Sequence, residues 1–197
     1  MTIIHFVRHG NVENPKNIAY GRMSGFHLSK EGREKVKRVG RYFKNKKISA
    51  LYTSPLERAF ETADIITDSL QNPPRIKHKY ELTEVDARKW QSFPIDELFE
   101  NKFFELFITD PETKEVEENL SAIANRMEKF TLYLCKKHQS EEIICVSHEI
   151  SILVLRAKLE KKHLALIRNQ YAETASITTF VFNEYCELEE TNYTELK

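Results

Sequence analysis

Short runs of β-branched and aromatic residues alternate along the chain with longer stretches whose apolar positions recur at helical spacing, a rhythm that predicts an α/β fold. Thr2–Val7 (TIIHFV) reads as a buried strand that stops at Arg8-His9-Gly10. Residues 11–28 show no period and read as a long loop. From Ser29, an N-cap residue, Val36, Val39 and Phe43 share one helical face, and Lys35, Lys37, Arg38, Arg41 and Lys44 cover a solvated remainder. Ile48–Thr53 is a second strand. After it, Ser54-Pro55-Leu56-Glu57 predicts a helix start with Ser at N-cap, Pro at N1 and Glu at N3 closing a capping box. Leu56, Ala59, Phe60, Ala63, Ile66 and Leu70 then make one apolar stripe.

A short segment, Arg75–Tyr80, and an aperiodic stretch, Leu82–Trp90, lead to two helical patterns at 94–109 and 115–138. Glu142–Ser147 (EIICVS) is a continuous apolar strand of the doubly buried, parallel kind, and a helix follows through Ile150–Leu159. Ser176–Phe182 is the last strand expected, with an acidic tail that should fray. The expected architecture is a three-layer α/β/α sandwich around a mostly parallel sheet. Its 197 residues form one domain, with loop 11–28 and a helical insertion at about 91–118 capping the site.

Composition narrows the class. With 41% hydrophobic and 30% charged residues the chain is neither disordered nor fibrous, and 30 Lys+Arg against 30 Asp+Glu remove the usual argument for a nucleic-acid partner. That zero is a cancellation: residues 1–60 are rich in Lys and Arg, whereas residues 81–120 are dominated by Asp and Glu. The N-terminus does not resemble a signal peptide and no apolar run is long enough to span a membrane, so a cytoplasmic protein is expected. Cys135, Cys145 and Cys186, an odd set without a CxxC pair, read as buried free thiols. The sequence leaves the oligomeric state open, a homo-oligomer included.

Sheets of this kind carry their sites at the carboxyl ends of strands. Three strands here end in groups capable of chemistry: the first in Arg8-His9, the second in Thr53-Ser54 with Arg58 just beyond, and the apolar strand in Ser147-His148. Were they neighbours, two guanidiniums and two imidazoles would meet on one rim. Planar, permanently charged, bidentate donors suit a tetrahedral phosphate, and N–H groups at a helix start beside Pro55 would add to the field. A neutral imidazole there could attack phosphorus, splitting one displacement into two. His5, alternating with apolar residues in the first strand, reads as a core histidine. His27, His78, His138 and His163 lack metal-ligand spacing, HExxH is absent, and Trp90 reads as packing. Neither GxGxxG nor a P-loop can be built from the five glycines, so no nucleotide cofactor is expected.

Four ordered blocks resemble the histidine phosphatase superfamily, the phosphoglycerate mutase-like proteins. They are Arg8-His9-Gly10 after a strand, Leu51-Tyr52-Thr53-Ser54-Pro55-Leu56-Glu57-Arg58-Ala59 with Thr62-Ala63, Leu82-Thr83-Glu84 with Trp90, and Val146-Ser147-His148. The resemblance implies a phosphorylated nucleophile at His9, phosphoryl oxygens held by Arg8, Arg58 and His148, and a proton donor at Glu84. It also implies that two arginines and an imidazolium balance the equatorial charge, with neither metal nor other cofactor.

Departures from the family pattern are Val12, Pro15, Ala87-Arg88, Gln91-Ser92 and Glu149. Asn11, Asn14 and Asn17 lie near enough to replace a missing amide, Asn14 being the substrate-binding candidate, and Arg22 on the Tyr20–His27 loop could meet a second anionic group. Glu149 either raises the pKa of His148 or faces solvent. The expectation is a metal-independent phosphatase acting on a small phosphate monoester. The alternatives are a phosphoglycerate mutase and a non-catalytic module that binds a phospho-ligand or a protein.

Overall fold

A computed structural model describes residues 1–196 of the chain. Six strands, β1 (Thr2–Arg8), β2 (Ile48–Thr53), β3 (Ile76–His78), β4 (Glu142–Ser147), β5 (Ile177–Phe182) and β6 (Leu188–Thr194), form one sheet in the order β3-β2-β4-β1-β5-β6. β3, β2, β4 and β1 pair in parallel, and β5 runs antiparallel to both β1 and β6.

Both faces of the sheet are buried, which explains why its central strands are nearly continuous in apolar residues. Successive side chains point to opposite faces, so Ile4, Phe6, Ala50 and Tyr52 serve one core, and Val7, Leu51, Ile144 and Val146 serve the other. The first core is closed by α4 (Leu120–Lys137) and α5 (Glu149–Leu159), the second by α1 (Lys30–Phe43) and α2 (Glu57–Thr67). The result is the expected three-layer sandwich. His5 is a core histidine, holding Thr179 Oγ1 at 2.8 Å and Glu142 Oε1 at 2.7 Å.

Four expectations need correction. The Ser54 capping box does not form: α2 starts at Glu57, its N-cap is Leu56 without a side-chain cap, and Ser54 is engaged elsewhere. The pattern at 94–109 splits into a 3₁₀ turn, Ile95–Glu100, and α3 (Lys102–Thr109), because Asn101 caps α3 through Phe103 and Phe104 N–H. The acidic tail does not fray at once. Leu188–Thr194 pairs along β5 as an edge strand, where charge deters further pairing. Finally, Cys135 on α4 and Cys186 in the β5–β6 turn are disulfide-bonded with Cα atoms 5.9 Å apart, and only Cys145 stays free, its thiol pKa raised by burial. Two cysteines on separate elements carry no spacing signal of such a pairing.

Segments 17–23 and 90–108 lie against each other over the carboxyl end of the sheet. Ala19 N–H donates to Phe93 O, Ser92 N–H to Ala19 O, and Ile95 N–H to Asn17 O. Among the described residues no helix is long and apolar enough to cross a membrane.

Candidate active site

β1, β2 and β4 are neighbours, and their register aligns Arg8 with Ser147 and Thr53 with Val146, so their next residues emerge on one rim. His9 follows β1 with its backbone N–H bonded to Ser147 O, and Gly10 lets the chain pass close against α1. A Cβ on Gly10 would meet Gly32 O and Val36 Cγ2, each at 2.8 Å. His9 and His148 rings face each other edge-on with centroids 5.1 Å apart, both buried.

A backbone carbonyl fixes which His9 nitrogen carries the proton. His9 Nδ1 lies 2.8 Å from Gly10 O, which can only accept, so the proton sits on Nδ1 and the lone pair on Nε2. Arg58 Nε–H points at that lone pair from 3.2 Å. Ser54 Oγ accepts from Leu56 N–H at 3.3 Å and lies 2.8 Å from His148 Nε2, so a Ser54 hydroxyl turned to donate to that nitrogen places the His148 proton on Nδ1. Burial first, then the Arg58 and Arg8 charges, hold the pKa of His9 well below that of an ordinary imidazole. Burial, Arg58 and His9 do the same to His148.

Both guanidiniums are braced. Arg58, fully buried, donates Nη2–H to Gly21 O at 2.6 Å and lies 4.8 Å from the Tyr20 ring centre, and desolvation lowers its pKa. Arg8 donates Nη1–H to Ala172 O, pairs through Nη2 with Glu149 Oε2 at 3.0 Å and lies 5.3 Å from the Tyr171 ring centre. Four buried side-chain nitrogens find no hydrogen-bond partner among the described residues: Arg126 Nη2, on a side chain paired with Glu118, and Arg8 Nε, Arg58 Nη1 and His148 Nδ1 at this rim. Unpartnered buried polar atoms are rare and costly, and the three at the rim sit on side chains gathered about His9.

Glu84 lines the same cavity, its Oε1 accepting from Val85 N–H at 2.9 Å and lying 3.3 Å from Ser151 Oγ. A clamp holds its loop. Glu118 accepts from Arg22 Nη2 at 2.6 Å, Arg126 Nε at 2.8 Å and Asp86 N–H at 3.2 Å, while Arg22 Nε–H donates to Glu84 O. Arg126 completes it by donating to Glu81 O and Thr83 O.

Arg8, His9, Arg58, Glu84 and His148 are thus brought together, and Asn14 and Arg22 are not. The Asn14 amide is spent on Ile18 N–H and O, and Arg22 on Glu118, so neither lines the cavity. Asn11 accepts from Thr174, and Asn17 donates to Asp96. Glu149 neither faces His148 nor solvent; it turns to Arg8, and burial raises its pKa. The roles of Tyr20, Ser54, Ser151 and Tyr171 escaped sequence reasoning. Ser54 carried a signal in closing the second strand, whereas Tyr171 lies on a 163–175 segment without a motif. Among the described residues, no three His, Cys, Asp or Glu side chains are grouped as metal ligands.

The model of the histidine phosphatase superfamily (branch 1) matches residues 4–193, and the chain belongs to that family. It is 30% identical over 191 residues to an uncharacterized protein of Mycobacterium tuberculosis, covering 92% of this chain and 91% of that protein. It is 26% identical over 167 residues to phosphoserine phosphatase 1 of Hydrogenobacter thermophilus, 81% of this chain and 76% of the relative. The fold superposes on the crystal structure of Entamoeba histolytica phosphoserine phosphatase in complex with 3-phosphoglyceric acid. The TM-score is 0.85 at 22% identity, over 99% of this chain and 98% of that one.

Proposed function

We propose that the chain is a metal-independent phosphatase that hydrolyses a small phosphate monoester through a phosphohistidine on His9. The observation that carries this reading is that Arg8, Arg58 and His148, each with an unpartnered buried nitrogen, are gathered about His9, whose Nε2 lone pair faces Arg58 Nε–H at 3.2 Å. A dianionic phosphoryl group satisfies all three at once. Its arrival draws the Arg58 fork onto phosphate oxygens and frees Nε2 for in-line attack.

In the first step the Nε2–P bond forms as the P–O bond to the leaving group breaks, and Glu84, entering as the carboxylic acid, gives its proton to the departing oxygen. In the second, Glu84 as carboxylate takes a proton from water, whose oxygen attacks phosphorus. The P–N bond breaks, and inorganic phosphate leaves a neutral His9 and a protonated Glu84. Charge developing on the equatorial oxygens is met by two guanidiniums and an imidazole N–H. His148 gives that hydrogen bond from Nδ1–H as a neutral ring, with the Ser54 hydroxyl donating to its Nε2; burial, which lowers its pKa, supports the neutral form.

Phosphate release from an aryl phosphate tests this. His9→Ala should lose at least about 10⁴-fold in kcat, and Glu84→Gln about 10²–10⁴-fold. Interconversion of phosphoglycerates without net phosphate release would overturn hydrolysis in favour of a mutase. Undiminished turnover by His9→Ala would overturn the nucleophile.

A further inference from the structure

We infer that the leaving group is an uncharged alcohol or phenol with an apolar body, and that Glu149 disfavours esters bearing a carboxylate close to the phosphate. The inference rests on the phosphatase reading and concerns the space beyond the phosphoryl group.

That space is a cavity of about 410 Å³ opening from Arg8 and His9. Beyond the site itself its wall is mostly apolar, with Trp90, Leu98, Phe99, Phe104, Phe107 and Leu153 its bulkiest members and Arg168 and Gln170 at its polar side. Phe99 is 66% exposed and Ile95 41% exposed, both lining the cavity. Large apolar side chains left open on a concave surface are accounted for when a ligand covers them.

The charges tell the same way. A carboxylate two carbons from the ester oxygen, as in phosphoserine or 3-phosphoglycerate, reaches about 6 Å from phosphorus by covalent geometry. The carboxyl groups lining the cavity beside Arg8 and His9 are Glu84 and Glu149, and Glu149 already occupies Arg8 Nη2. Arg22, the cation the sequence offered to a second anionic group, is paired with Glu118 and absent from the lining. Arg168 also lines the cavity, exposed like Phe99, and is the cation open to an anionic group held away from the phosphate. A carboxylate close to the phosphate instead meets Glu149 and apolar wall, whereas an alkyl or aryl group meets matching surface. This differs from the substrate in the names of two of the relatives, phosphoserine phosphatases.

Rates of phosphate release for ethyl, butyl, hexyl and 1-naphthyl phosphate, set against phosphoserine and 3-phosphoglycerate, test the inference. Burial of each methylene should raise kcat/KM about threefold until the cavity is filled, and hexyl or naphthyl phosphate should exceed both carboxylates at least tenfold. Phe99→Asp should flatten the chain-length dependence, and Glu149→Gln should narrow the gap to 3-phosphoglycerate several-fold. A flat series, or a carboxylate ester preferred, overturns it. Calorimetry with hexylphosphonate and methylphosphonate, which are not cleaved, separates the two readings. If no ester is hydrolysed yet hexylphosphonate binds at least tenfold tighter, the hydrolytic reading fails and the apolar specificity stands. Equal affinities overturn the specificity whatever the turnover.

Discussion

His9 and His148 are imidazoles kept neutral in a site full of positive charge, and that is what their chemistry requires. A protonated His9 could not attack phosphorus, and burial together with Arg58 and Arg8 pushes its pKa in the needed direction. The sign of the pH dependence follows. In the unfolded chain a histidine takes its proton near pH 6.5, and in the folded protein these two take theirs only well below it. The unfolded state therefore binds more protons in that window, and stability declines as pH falls below about 6.5, by up to about 1.4 kcal/mol per pH unit for each histidine. Urea unfolding at pH 7.5 and 5.5, with NMR titration of the ring resonances, checks this. We expect His9 and His148 to stay neutral at pH 6 and stability to drop; a ring titrating at 6.5 or above would contradict it.

Strand ends place these residues, and the connections aim them. Loop 10–12 passes so close to α1 that a Cβ on Gly32 would meet Asn11 N at 2.8 Å and its carbonyl more closely still. Alanine is the better helix former by about 1 kcal/mol, but a clash with backbone that cannot turn aside costs up to about 3 kcal/mol. Gly32→Ala should therefore destabilise by about 1–2 kcal/mol and lower kcat by shifting His9, as urea unfolding and phosphate release would report. A stabilised variant with full activity would contradict the close approach. This contact also marks where the sequence stops being legible. Strands β1, β2, β4 and β5 and a mostly parallel sheet follow from local pattern, and Arg8, His9, Arg58 and His148 from motifs at strand ends or just beyond, while Glu84 is found by its motif alone. Glu149 on Arg8, Tyr171 against the same guanidinium, the Cys135–Cys186 bond and the Glu118 clamp join segments far apart in sequence, and no local period records them. Ser54 was misread because one residue type serves both as helix cap and as partner to a buried imidazole, and local sequence cannot tell which partner wins.

Across the whole molecule the formal charge is zero, yet cations and anions are sorted by segment. Arg8 and Arg58 come from the basic first third, while Glu84 and the clamping Glu118 come from the acidic stretch that folds over it. The two halves of the charge pattern meet at one rim, where in the proposed mechanism the cations hold phosphate and the carboxylate moves a proton. With no net pull on an anion, capture falls to contacts within the pocket, shorter than the screening length of about 8–10 Å in ordinary buffer. All of this converges on one bond, between His9 Nε2 and phosphorus. Rapid acid-free quenching during turnover of a naphthyl phosphate, followed by peptide mass spectrometry and ³¹P NMR, looks for that bond directly. We predict an acid-labile phosphoryl group on His9, accumulating further in Glu84→Gln with a good leaving group. Phosphate release with no phosphoryl-enzyme in either protein, or a phosphoryl group on any residue other than His9, would contradict the mechanism.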